Sequence, residues 1–93
     1  MSMQQSPMGV NVQTLPPPPS YIPPKSTGSY MIDCLYQPTY VWLLNGENFW
    51  FIPISVESFG TTGYRWMGSF WMFTGIDTSF IEVVSCPPIP TLY

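Results

Sequence analysis

The sequence predicts an all-β domain: a five- to six-stranded antiparallel meander, either an SH3-like barrel or a small sandwich, behind an extended Pro-rich N-terminal arm. Three observations carry that prediction. Asn45-Gly46 and Gly68-Ser69 each separate aromatic-rich runs and have the chemistry of tight hairpin turns. Aromatics and prolines are segregated: all four Trp and every other aromatic except Tyr21 fall in residues 30–93, while seven of the twelve Pro fall in residues 1–29. No stretch shows a sustained helical period with capping residues.

Taken in order, residues 1–29 form the arm and residues 30–93 the domain, with a flexible seam at Ser26-Thr27-Gly28-Ser29. The arm carries Pro16, Pro17, Pro18, Pro19, Tyr21, Pro23 and Pro24. Consecutive prolines fix φ and remove backbone donors, which favours polyproline II and forbids helix or central strand. Such a segment is a spacer or a ligand for an aromatic-lined groove, and these residues are the candidate docking residues of the arm.

The domain reads as strand after strand. Tyr30–Tyr36 is a first strand, ended by Gln37-Pro38. Tyr40–Leu44 and Glu47–Ile52 flank Asn45-Gly46, whose type I′ turn would pair Leu44 with Glu47, Trp42 with Phe49 and Tyr40 with Phe51. Val41, Leu43 and Trp50 then share the opposite face. Pro53 ends or bulges this strand and places it at an edge or corner, with Ile54–Val56 continuing after the bend.

Ser58–Gly63 reads as a loop. Gly68-Ser69 is a type II′ signal, pairing Met67 with Phe70, Trp66 with Trp71, Arg65 with Met72 and Tyr64 with Phe73. Tyr64, Trp66, Trp71 and Phe73 thereby form a cross-strand aromatic ladder on one face. Gly75-Ile76-Asp77 turns the chain, Phe80–Ser85 is a last strand, and Cys86-Pro87-Pro88-Ile89-Pro90 ends regular structure.

Composition narrows the function. The domain has one cation, Arg65, against Asp33, Glu47, Glu57, Asp77 and Glu82, so it lacks the clustered Lys and Arg that nucleic acid requires. Only 8% of residues are charged, which leaves apolar and uncharged surface exposed, the kind that meets another protein. There is no His, no four-ligand zinc set and no P-loop, and the carboxylates show no pairing pattern. Catalytic residues, metal and cofactor are therefore expected to be none.

The N-terminus lacks a basic signal-peptide region, and the apolar stretch Tyr40–Val56 is interrupted and too short to span a bilayer. The expectation is a chain made in the cytoplasm, without a transmembrane segment and outside the general secretory route. Cys34 and Cys86 bracket the domain and are the candidate disulfide. An intramolecular bridge, inter-subunit bridges and two inert thiols are all open readings.

Asp77 is read as a turn residue bonded to its own backbone, and Arg65 as a stacked or ion-paired group that stabilises the fold, with recognition of a carboxylate as the alternative. A core this small needs only part of its aromatics. The surplus marks Trp42, Trp50, Tyr64, Arg65, Trp66, Trp71 and Phe73 as the candidate binding or assembly face.

Tyr36-Gln37-Pro38-Thr39-Tyr40-Val41-Trp42-Leu43, Asn45-Gly46, Phe49-Trp50-Phe51 with Pro53, and Tyr64-Arg65-Trp66, Gly68, Trp71 and Gly75-Ile76-Asp77 make a spaced pattern over residues 30–86. In that pattern the chain resembles a group of small, poorly characterised proteins of spore-forming Bacillus-type bacteria. The resemblance implies a structural or surface role connected with the spore and supplies no catalytic residue. The expected function is thus a non-enzymatic structural protein that self-assembles through aromatic faces, strand edges and its arm, in a spore coat or surface fibre. Its partners would be further copies or other coat proteins. The alternative is a small β binding module whose aromatic platform takes carbohydrate or a Pro-rich peptide.

Overall fold

The computed structural model of the chain describes residues 15–25 and 29–86. The expectations for residues 1–14, for the seam at 26–28 and for the end of regular structure at 87–90 lie outside the described residues. Five strands, β1 (Thr39–Leu43), β2 (Asn48–Val56), β3 (Gly60–Trp66), β4 (Trp71–Asp77) and β5 (Ile81–Ser85), form one antiparallel sheet in the order β4-β3-β2-β1-β5. Hairpins join β1 through β4, and a 3-10 turn at Thr78–Phe80 sends β5 back to the far side of β1. This is the strand order of an SH3-like meander. The outer strands β4 and β5 do not pair with each other, so the sheet stays open.

The β3–β4 hairpin folds as its sequence demands. Gly68 adopts φ 103°, which a side chain would oppose, and the register pairs Tyr64 with Phe73, Arg65 with Met72 and Trp66 with Trp71. The β1–β2 hairpin corrects the expectation. Val41 pairs with Phe49 and Tyr40 with Trp50, one residue off the register of a two-residue turn. Gly46 N–H donates to Leu43 at 3.0 Å, Leu43 N–H donates to Glu47 at 2.8 Å, and Gly46 alone takes positive φ, 96°. That is a three-residue loop ending in a left-handed Gly, which uses Asn45-Gly46 as well as a type I′ turn does. The slip moves Phe49 and Phe51 to the face of Val41 and Leu43, and Trp50 to the face of Tyr40 and Trp42.

Three further boundaries move. Met31–Cys34 is a 3-10 helix rather than a strand: Met31 and Cys34, three residues apart, turn inward while Ile32 and Asp33 stay exposed. Gly60–Gly63 belongs to β3, because the turn closes earlier, with Glu57 N–H on Gly60 O at 2.8 Å. Gly75-Ile76-Asp77 continues β4, and the turn falls at Thr78–Phe80.

Pro53 sits inside β2, a central strand, and not at an edge. A bulge there opposes Pro53 and Ile54 to Gly63 before Ser55 pairs with Thr62, and Pro53 lies beyond the end of β1. Its missing N–H therefore breaks no ladder bond, while its carbonyl accepts from Tyr36 N–H at 2.8 Å.

Both sheet faces are apolar. One buries Val41, Phe49, Phe51 and Val84 under Met31, Leu43, Ile76 and Ile81. The other gathers Tyr40, Trp50, Ile52, Ile54, Tyr64 and Trp71, with Leu15, Trp42 and Trp66 against them. Each fully buried large side chain contributes about 1.5–3 kcal/mol, which is how a short domain holds together. Cys34 and Cys86 are disulfide-bonded within the chain, across 52 residues that contain all five strands.

Candidate functional site

The second face is where the arm lies. Alternation along the strands puts Tyr40 and Trp42 of β1, Trp50 and Ile52 of β2, Tyr64 and Trp66 of β3 and Trp71 of β4 on one side of the sheet. The rings meet edge to face: Tyr40 with Trp50 at 5.1 Å, Trp66 with Trp71 at 5.1 Å and Tyr64 with Phe73 at 5.4 Å between centroids. That geometry suits the negative face and positive rim of aromatic rings and fixes their orientation. Tyr40 hydroxyl donates to Asn48 Oδ1, and burial pushes its acidity down, so it stays protonated.

Residues 15–24 cross this face without helix or strand. Leu15 packs against the buried cluster, Trp71 Nε1–H donates to the Pro16 carbonyl at 2.9 Å, and Tyr21 meets Trp50 edge-on at 6.3 Å. Pro18, Pro19 and Pro23 are half-buried, while Pro17 and Pro24 face outward. Lys25 then pairs with Glu82 of β5 at 2.8 Å, and Ser29 N–H donates to Val84 O at 2.6 Å, so the chain finishes its crossing at the β5 edge.

Of the residues singled out by sequence, Trp42, Trp50, Tyr64, Trp66 and Trp71 stand together on this face. Phe73 extends the ladder but remains 47% exposed. Arg65 lies on the opposite face, stacked over the Phe49 ring at 3.9 Å, with Glu47 3.9 Å from its guanidinium. That is the stacked, ion-paired arrangement expected of a fold-stabilising Arg. Asp77 accepts from both the N–H and the hydroxyl of Ser79, which holds its carboxyl below the usual range.

Sequence reasoning missed Leu15 and the Trp71–Pro16 bond, since nothing local in the arm says which carbonyl an indole will choose. It also passed over Phe59, which stands 86% exposed at the β2–β3 turn.

Among the described residues, no group of three or more His, Cys, Asp and Glu stands together as a metal site. A depression of about 370 Å³ between Leu43, Leu44, Asn45 and Phe80 holds no titratable group. No described helix is long and apolar enough to cross a membrane. No family model matches the chain, and neither a curated protein nor a solved structure shows significant similarity to it.

Proposed function

We propose that the protein is a non-enzymatic binding module whose aromatic sheet face takes extended Pro-rich segments, with its own arm as the resident ligand. One observation carries this reading: the indole N–H of Trp71 bonds to the carbonyl of Pro16, the first of a run of four prolines. Extended Pro-rich chain exposes carbonyls that no internal bond satisfies, and its fixed φ lowers the entropy lost on docking. An aromatic platform with one aimed N–H donor meets both properties. Carbohydrate is the weaker ligand class, because the contacts this face makes, Trp71 with the Pro16 carbonyl and Trp50 with the Tyr21 ring, are contacts to peptide.

A second reading is favoured by the exposed apolar side chains, among them Phe59, Phe70, Met72, Phe73 and Phe80. In it the module self-assembles, the structural, spore-associated role that the resemblance in sequence implies. Capture and assembly are compatible, since a face that holds its own arm can hold a neighbour's.

The capture reading is tested in the full-length chain carrying Leu15→Ala and Tyr21→Ala, which removes the arm's leucine and tyrosine contacts with the aromatic face. A synthetic peptide of residues 15–24 should bind this variant and alter its Trp fluorescence. Adding Trp71→Phe should weaken that binding roughly fivefold, the worth of one buried hydrogen bond of about 1 kcal/mol. Peptide that leaves the fluorescence of the arm-loosened variant unchanged would overturn the reading.

A further inference from the structure

The two edges of the sheet are treated differently. At β5, the Ser29–Val84 bridge occupies the edge, and Glu82 with its Lys25 partner places charge along it. Those are the devices that keep a strand edge from pairing with another chain. At β4 none is present among the described residues. It is seven residues long, it pairs among the described residues only with β3, and it has neither Pro nor Lys; its single charge, Asp77, is terminal.

The ladder to β3 fixes which β4 groups point outward. Met67 N–H on Phe70 O and Thr78 N–H on Phe59 O bound that ladder, so Met72, Thr74 and Ile76 bond inward. Trp71, Phe73, Gly75 and Asp77 then turn their N–H and C=O groups to the open edge. We propose that this edge pairs antiparallel with β4 of a second copy about a two-fold axis at Thr74, joining two open sheets into one. The inference gives the self-assembly reading its surface and rests on that reading, not on capture of the arm.

The occupant follows from self-complementarity along the strand. Pairing about Thr74 sets Trp71 opposite Asp77, Met72 opposite Ile76 and Phe73 opposite Gly75, each taken from the other copy. The outward-bonding residues meet only outward-bonding residues, as an antiparallel ladder requires. Phe73, exposed on the free molecule, covers the bare backbone at Gly75, and Met72 finds an apolar partner. The two Thr74 side chains meet across the axis. The two Asp77 carboxylates, the strand's only charges, end up at opposite ends of the pair, about 20 Å apart at roughly 3.4 Å per residue, so like charges do not meet. An isologous contact of this kind closes at two copies through β4.

The test uses the full chain with Thr74→Lys and, separately, Thr74→Glu, which place like charges face to face on the axis. Wild type should show a concentration-dependent mass rising from 10.6 kDa toward twice that value in sedimentation equilibrium. Each variant should weaken self-association by roughly tenfold or more, and an equimolar mixture of the two should restore the dimer. Circular dichroism checks that both variants keep the sheet. Phe73→Lys should also weaken the dimer and supplies the test if position 74 does not tolerate charge. The Leu15→Ala, Tyr21→Ala variant should dimerise like wild type, which separates this inference from arm capture. A monomeric wild type at every concentration, or a dimer unmoved by these charges, would overturn it.

Discussion

At Gly63 two strands come closer than any side chain permits. A Cβ there would fall inside contact distance of the Ile52 carbonyl oxygen and 2.9 Å from the Phe51 ring. Phe51 is fully buried, and the obstructing atoms are mainly backbone, so neither can move aside cheaply. Gly63→Ala should therefore cost about 3 kcal/mol, read as a fall in the urea midpoint at unchanged slope. A midpoint equal to wild type would mean that β2 and β3 can part at the Pro53 bulge. In sequence Gly60-Thr61-Thr62-Gly63 has the composition of a loop, because no local pattern reveals that a ring from the neighbouring strand passes over the second Gly. Arg65 was more legible. As the one cation among many rings it had few places to go, and stacking on Phe49 beside Glu47 is the outcome that its chemistry favours.

Among the elements, turn chemistry was readable where one turn type fits and ambiguous where two do. Gly68-Ser69 leaves only the two-residue hairpin, and the whole β3–β4 register follows from it. Asn45-Gly46 serves a type I′ turn and a three-residue loop equally. Only the packing of Phe49 and Phe51 beside Val84, against Trp50 beside Tyr40, selects between them. Met31–Cys34 was misread for a related reason: four residues of 3-10 helix are too few to show a period against an apolar strand. Its local bond from Asp33 N–H to Tyr30 O is joined by tertiary ties, with Cys34 bonded to Cys86 and Tyr36 N–H on Pro53 O just beyond it. Reduction, or Cys34→Ser with Cys86→Ser, should lower stability by about 4 kcal/mol in the chain-entropy account. Denaturation with and without reductant measures it. Exchange of the Tyr36 amide should accelerate more than that of Ile52 in β2. Equal stability in both redox states would remove the bridge from any part in holding the domain.

For the whole molecule the governing quantity is scarcity of charge. Net charge is −3 at pH 7 with a pI near 4.2, and Arg65 and Lys25 are its only cationic side chains, each beside a carboxylate. No basic surface is left to attract the acidic surface of another copy, so electrostatics between copies is repulsive at neutral pH. The proposed self-association would then draw on strand edges and apolar side chains, which salt does not screen. Two signs follow. Raising ionic strength at pH 7 should strengthen self-association, because it screens the repulsion and leaves the attraction intact. Lowering pH toward 4.2 should act in the same direction, as carboxylates take up protons and the net charge approaches zero. Asp77 lags that trend, since its bonds to Ser79 hold it ionised below the usual carboxylate range. Light scattering across salt at pH 7, then across pH at fixed salt, separates the two effects. Association that weakens as salt is added would require attractive ion pairs between copies, and the apolar β4 edge would then be the wrong place to look for the contact.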